Sequence, residues 1–310
     1  MPSAFNQSSS WPLWPVHGGK PLPSDHTEFA FEDLAAPIHD RVVSEVFHPR
    51  VFAYVPKEPN GRAALVLAGG GYTKLVVGKE GIEVAEWLAS LGYHAFVLVH
   101  RFPCERFGSQ APVDDAIEAM RQIRARAAEF GLDANRIGVC GLSSGGHLAA
   151  LAGTSGLVNQ YQVNTTIMDI EGTVSPHTTF SSEVDAVVDW FGPSDFLKED
   201  SCGSVLVHNA PDSPESSLIG GPIQDNVDKC ALANPITYID SRDPPFLLIH
   251  GDADRIVPHC QSEILFKALQ KKGVPSQYVL VPGAKHVEGL MEEIYFKMMV
   301  DFFMEEAKKK

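Results

Sequence analysis

What this chain has little of narrows it first. Among 310 residues there are only five cysteines, at positions 104, 140, 202, 230 and 260. They are odd in number and scattered, with no Cys-x-x-Cys pair, so neither a disulfide framework nor a cysteine zinc site is expected. Basic residues are few, with 25 Lys and Arg against 39 Asp and Glu and a formal charge of −14. That balance excludes nucleic acid and anionic membrane as main partners, because both are gripped by basic patches. The sole basic cluster, Lys308-Lys309-Lys310, reads as a solvated tail. No apolar run reaches transmembrane length. The opening Met1-Pro2-Ser3-Ala4-Phe5-Asn6 has no basic and apolar leader, so a cytoplasmic location is expected.

What is present is an alternation of short apolar runs and amphipathic stretches. Residues 1–40 are rich in proline, serine and glycine and read as an extended N-terminal arm that Trp11 and Trp14 pin to the body. Arg50–Val55 reads as an antiparallel strand. Ala63–Ala68, His94–Val99, Arg136–Gly141, Val184–Trp190, Pro245–His250 and Gln277–Val281 read as strands, most of them buried on both faces. Helical spacing covers Gly81–Leu91, Asp114–Phe130, Gly145–Ala152, Gln261–Lys271 and Glu288–Lys308. This order predicts an α/β fold over residues 41–310, with a mostly parallel sheet of about eight strands flanked by helices. Two irregular insertions, near 156–183 and 194–241, interrupt it and are candidate specificity elements.

Chemistry concentrates where strands end. Gly141-Leu142-Ser143-Ser144-Gly145-Gly146 follows an apolar strand and opens a small-residue helix. That is the setting of a nucleophile elbow in the α/β-hydrolase fold, with Ser143 raised on a strained turn and the Ser144 N–H aimed at a developing oxyanion. A serine needs a base in reach, and this fold supplies acid and then histidine downstream. Two strands end at the same sheet edge as Ser143, one in His250-Gly251-Asp252-Ala253-Asp254 and the other in Gly283-Ala284-Lys285-His286. His286 is the candidate base. Asp252 and Asp254 compete for the acid, with Asp254 favoured because it lies further into the loop; Asp189 and Asp195 are weaker candidates. Gly69-Gly70-Gly71-Tyr72 follows a third buried strand, where Gly70 and Gly71 would offer N–H donors to the oxyanion. A phosphate loop is excluded, since Gly78-Lys79 runs into Glu80, and Lys74 stands where a dinucleotide fingerprint needs glycine. His17-Gly18-Gly19 follows no strand. His147 reads as a packing residue, and His100-Arg101 as structural.

Together these motifs resemble carbohydrate acetyl (acetyl-xylan) esterases of the α/β-hydrolase superfamily and the bifunctional feruloyl/acetyl-xylan esterase family (BD-FAE). The resemblance runs from about Ala63 to His286. It rests on Gly69-Gly70-Gly71-Tyr72, Arg136-Ile137-Gly138-Val139, Gly141–Ala150, Ala186–Phe196, Ser213–Pro222, Ala233–Tyr238 and Pro244–Asp254. It implies catalytic Ser143, Asp254 and His286, an oxyanion hole of Gly70, Gly71 and Ser144, and no cofactor or metal. It also supports Asp254 over Asp252. The expected partner is a small-molecule or carbohydrate ester, with no nucleic acid, no membrane, and room for a homodimer. Two departures stand out: Ser144 where alanine is common, and Ala68 where histidine often precedes the glycines. Short acyl groups are expected, because neither insertion offers a long apolar lid helix. A feruloyl or aryl esterase with Phe180, Trp190 and Phe191 lining an aromatic slot is one alternative. The others are a peptidase of the prolyl-oligopeptidase kind and a non-catalytic ligand receptor.

Overall fold

A segment apolar on every residue has no face to give to water, so it belongs in the middle of a sheet covered on both sides. The computed structural model describes residues 9–14, 29–103, 110–155, 177 and 179–306. Its strands in chain order are β1 (Ser9–Pro12), β2 (Phe29–Phe31), β3 (Val43–Val46), β4 (Arg50–Tyr54), β5 (Ala63–Leu67), β6 (His94–Val99), β7 (Ile137–Leu142), β8 (Val187–Trp190), β9 (Phe246–Gly251) and β10 (Ser276–Val281). Eight form one sheet in the order β1-β4-β6-β5-β7-β8-β9-β10, and β2 pairs with β3 separately. Strands β6, β5, β7, β8, β9 and β10 are parallel to their neighbours in that row, whereas β4 runs antiparallel to β1 and β6. Every residue of β5, β6, β7, β8 and β9 is buried. The sheet is the mostly parallel, eight-stranded one that the sequence predicts.

The helices are α1 (Val84–Ser90), α2 (Ala111–Ala125), α3 (Ala127–Phe130), α4 (Ser144–Ser155), α5 (Pro214–Ile219), α6 (Val227–Ala233), α7 (Cys260–Lys272) and α8 (Glu293–Glu306). Alternate residues of β5 feed two separate cores, as the period of two requires. Leu65 and Leu67 join Met120 of α2, Leu148 of α4 and Leu265 of α7. Ala64 and Val66 join Leu88 of α1 and Met299 of α8 on the other face. The helix expected over Asp114–Phe130 begins earlier, at Ala111 with Pro112 in its first turn, and breaks at Arg126.

Three features were not foreseen. Ser9–Pro12, inside the proline-rich arm, forms the sheet's edge strand, where Pro12 forfeits no central ladder bond. The neighbouring indoles are anchored: Trp11 Nε1 donates to Gln122 Oε1 and Trp14 Nε1 to Asp115 Oδ1, both at 2.7 Å. The 194–241 insertion carries the short helices α5 and α6, with Ser213 Oγ accepting from Ser216 N at 3.0 Å as an N-cap. Most of the 156–183 insertion, the His17-Gly18-Gly19 stretch, Cys104 and the lysine tail lie outside the described residues. The cysteine reading needs correction too. Cys202 and Cys260 are bridged across 58 residues, and so long a separation leaves no local spacing to read. Such a bridge persists in oxidising surroundings, which runs against the cytoplasmic expectation. Among the described residues no helix is long and apolar enough to cross a membrane.

Candidate active site

β7 ends at Leu142 and α4 begins at Ser144, so Ser143 alone makes the turn between them. It does so with φ of 55°, a left-handed conformation that non-glycine residues adopt only when their surroundings enforce it. The enforcement is visible. Ser143 N donates to Trp190 O at 2.9 Å, and the flanking glycines let the turn close. A Cβ on Gly141 would strike the Gly145 carbonyl, and one on Gly145 would strike the carbonyl of Leu67 on β5. Gly145→Ala is therefore expected to cost about 3 kcal/mol or more, read as a lower urea midpoint at unchanged slope. A midpoint equal to wild type would show that the turn has slack the packing does not reveal.

His286 arrives on the loop after β10, and its Nε2 lies 3.0 Å from Ser143 Oγ. Its Nδ1 lies 2.7 Å from Asp254 Oδ2, on the loop after β9. A carboxylate only accepts, so Nδ1 carries the hydrogen and Nε2 is free to take the serine proton. Asp254 is fixed in turn: its Oδ1 accepts from Ile256 N at 2.9 Å and Val257 N at 3.1 Å. Burial would raise its carboxyl, but hydrogen bonds from His250 and His286 outweigh that and hold it at about 2. Asp254 thus stays an anion facing the imidazole. Asp252 does something else, accepting from Gly283 N at 2.6 Å and tying down the start of the His286 loop. Asp189 turns to Gly192 N at 2.9 Å, and Asp195 pairs with Lys198 at 2.7 Å.

The glycine loop after β5 packs against this elbow. Gly70 and Gly71 have φ of 138° and 63°. Gly69 N donates to Glu80 Oε2 at 2.7 Å, and Gly71 N donates to Ser144 Oγ at 3.0 Å. The hydroxyl that sets this chain apart at position 144 therefore occupies the Gly71 N–H at rest, and it must turn aside for that donor to reach an oxyanion. His147, read as a packing residue, is fully buried; it donates from Nε2 to Ala233 O at 2.8 Å and accepts from the Tyr72 hydroxyl. Burial lowers it to about 4, so it stays neutral while bracing the loop against α6. Arg101 is likewise structural, buried in an ion pair with Asp115 at 2.6 Å.

Sequence reasoning missed three supporting residues. Glu80 is buried behind the glycine loop, and burial, opposed by the Gly69 N–H and by His286, raises it to about 7. Its signal was an acid amid the apolar residues Ile82, Val84 and Ala85. His250, next to last in β9, bridges Val257 O at 2.8 Å and Ser262 Oγ at 2.8 Å, steadying the Asp254 loop. Phe191 packs edge-on to His286 with centroids 4.8 Å apart. Trp190 and Phe191 are both buried, so the aromatic slot suggested for them does not exist as a surface; Phe180 is exposed.

Comparison with known proteins points the same way as the geometry. A profile of the BD-FAE family matches residues 53–269. An acetylxylan esterase of Xylanibacter ruminicola is 26% identical over 76% of this chain and 43% of its own length. The chain spans about half the length of the curated relatives it matches. A truncated carbohydrate esterase from gut microbiota superposes with a TM-score of 0.74 at 31% identity, over 97% of both chains. The acetyl ester-xyloside bifunctional hydrolase of Caldicellulosiruptor lactoaceticus gives 0.69 at 27% identity, again over 97% of each.

Proposed function

Since the chain belongs to the BD-FAE family, we propose that it is a serine esterase that removes short acyl groups, acetyl above all, from carbohydrate esters. The observation that carries this reading is the unbroken relay from Ser143 Oγ through His286 to Asp254, at 3.0 and 2.7 Å. Ser143 Oγ attacks the ester carbonyl while His286 Nε2 takes its proton, and N–H groups of Gly70, Gly71 and Ser144 hold the oxyanion. The imidazolium, stabilised by the Asp254 carboxylate, gives its proton to the departing alcohol oxygen. Water then gives a proton to His286, attacks the acyl-enzyme and releases the acid and Ser143.

Two facts support a short acyl chain. The helices of the 194–241 insertion are the six-residue α5 and the seven-residue α6, too short for a lipid-covering lid. Two of the relatives are named for acetyl esters, an acetylxylan esterase and an acetyl ester-xyloside bifunctional hydrolase. A p-nitrophenyl ester panel tests it: kcat/KM for acetate and propionate is expected to exceed that for octanoate by at least about 10-fold. Acetylated xylan should release acetate under the same conditions. A preference for long chains would overturn the acyl assignment while leaving the serine mechanism in place.

A further inference from the structure

Glu199, His208 and Glu215 form a cluster inside the 194–241 insertion that the hydrolytic reading does not use. All three are buried, and Glu199 has none of its surface exposed. Their ligating atoms lie within 4.8 Å of one another. His208 Nδ1 is 3.2 Å from Glu199 Oε2 and 3.0 Å from Glu215 Oε2.

The other side of the imidazole decides its character. His208 Nε2 lies 3.2 Å from the Ile256 carbonyl and 2.8 Å from Ser204 Oγ. Ser204 Oγ itself reaches the Ile256 carbonyl at 2.9 Å. A carbonyl only accepts, so Nε2 carries the hydrogen and Nδ1 is the ring atom turned towards the two carboxylates. With the imidazole neutral and both carboxyls ionised, three acceptors converge there. Both oxygens of Glu199, Oε2 of Glu215 and Nδ1 of His208 lack a hydrogen-bond partner among the described residues. Protonating His208 supplies one charge against two and still leaves Glu199 Oε1 without a donor. A dication balances both carboxylates and accepts all three atoms as ligands.

We propose that Glu199, His208 and Glu215 hold a structural transition-metal dication of the zinc class. Two carboxylates and an imidazole suit such an ion better than calcium or magnesium, which take sets of oxygens. The contact of Nε2 with the Ile256 carbonyl is the second-shell partner that orients a ligating histidine. The position gives the ion a purpose. Ile256 belongs to the loop that holds Asp254, and Pro214, beside Glu215, lies 3.3 Å from where a Cβ on Gly71 would stand. The ion thus braces the insertion between the acid loop and the oxyanion loop and takes no part in hydrolysis. Sequence spacing gave no hint of it, because the ligands are spread along the insertion.

The test uses zinc on the full chain stripped by a chelator, with metal content and melting temperature as readouts. Wild type is expected to retain about one zinc per chain after desalting and to melt higher once loaded. Isosteric Glu199→Gln, checked for folding by circular dichroism, should retain zinc at least about 10-fold more weakly. Cobalt(II) in wild type provides a second measurement that no variant is needed to interpret, since its visible bands report imidazole and carboxylate ligation. Wild type that holds no more zinc than Glu199→Gln, with an unmoved melting temperature and no cobalt bands, would overturn the proposal and leave the cluster as a protonated clasp. None of these readouts is ester turnover, so that failure would leave the esterase reading untouched.

Discussion

Ser143→Ala is expected to lower kcat on p-nitrophenyl acetate by about 10⁴- to 10⁶-fold with little change in KM. The size follows from the lack of a substitute. Ser144 is the neighbouring hydroxyl, but its Oγ accepts from Gly71 N at 3.0 Å, whereas His286 Nε2 is bonded to Ser143 Oγ. Removing Ser143 leaves only the oxyanion donors and substrate binding to act on water. Stability should hardly move, within about 0.5 kcal/mol, because the turn is held by backbone packing around Gly141 and Gly145 rather than by the serine hydroxyl. Steady-state kinetics beside a urea melt check both halves. A variant that keeps more than about one hundredth of wild-type kcat would put the nucleophile elsewhere.

Asp254→Asn should lower kcat by about 10³- to 10⁴-fold, the loss expected when the imidazole is held in the wrong tautomer. The geometry explains why an isostere fails. Ile256 N and Val257 N both donate to Oδ1, so an asparagine must place its carbonyl oxygen there and turn its amide nitrogen towards His286. His286 Nδ1 then has to accept, the hydrogen moves to Nε2, and that nitrogen can no longer take the Ser143 proton. Asp252→Asn serves as the contrast, because its bond is to Gly283 N. Its loss should change kcat by no more than about 10-fold. Asp254 also carries a pH signature. Its carboxyl falls from an ordinary 3.8 to about 2, so its stabilisation is complete above the unfolded value and is lost as pH falls through the folded one. That contribution is on the order of 2 kcal/mol. Urea midpoints between about pH 5 and about pH 2 should fall less steeply in Asp254→Asn than in wild type. Parallel curves would assign the acid loss to other carboxylates.

The parts of this fold that local pattern can encode were legible. Ala63–Leu67 and Phe246–Ile249 are apolar throughout, and only a strand covered on both faces can use such a run. Ser143, Asp254 and His286 stood out because each follows the end of a strand, with glycine nearby, at one edge of the sheet. The choice between Asp252 and Asp254 was harder, since both occupy one loop. Their roles separate only through the distant residues they meet, Gly283 for one and His286 for the other. Long-range partners explain the remaining misses. Trp11-Pro12 reads as an irregular arm until β4 offers it an edge to pair with. Glu80 reads locally only as an acid just ahead of a helical span, yet it lies beneath the glycine loop and accepts from Gly69 N. The Cys202–Cys260 bridge and the Glu199–His208–Glu215 cluster join positions with no periodic relation.

The central claim is that Ser143 is the nucleophile of an ester hydrolase, and covalent trapping tests it most directly. Wild type is treated with a fluorophosphonate, digested, and the adduct mapped by mass spectrometry while acetate release is followed. The account predicts a single adduct on the peptide holding Ser143, loss of hydrolysis in step with labelling, and no adduct in Ser143→Ala or His286→Ala. Hydrolysis that continues undiminished with Ser143 fully labelled, or an inactivating adduct mapped to another residue, would contradict it.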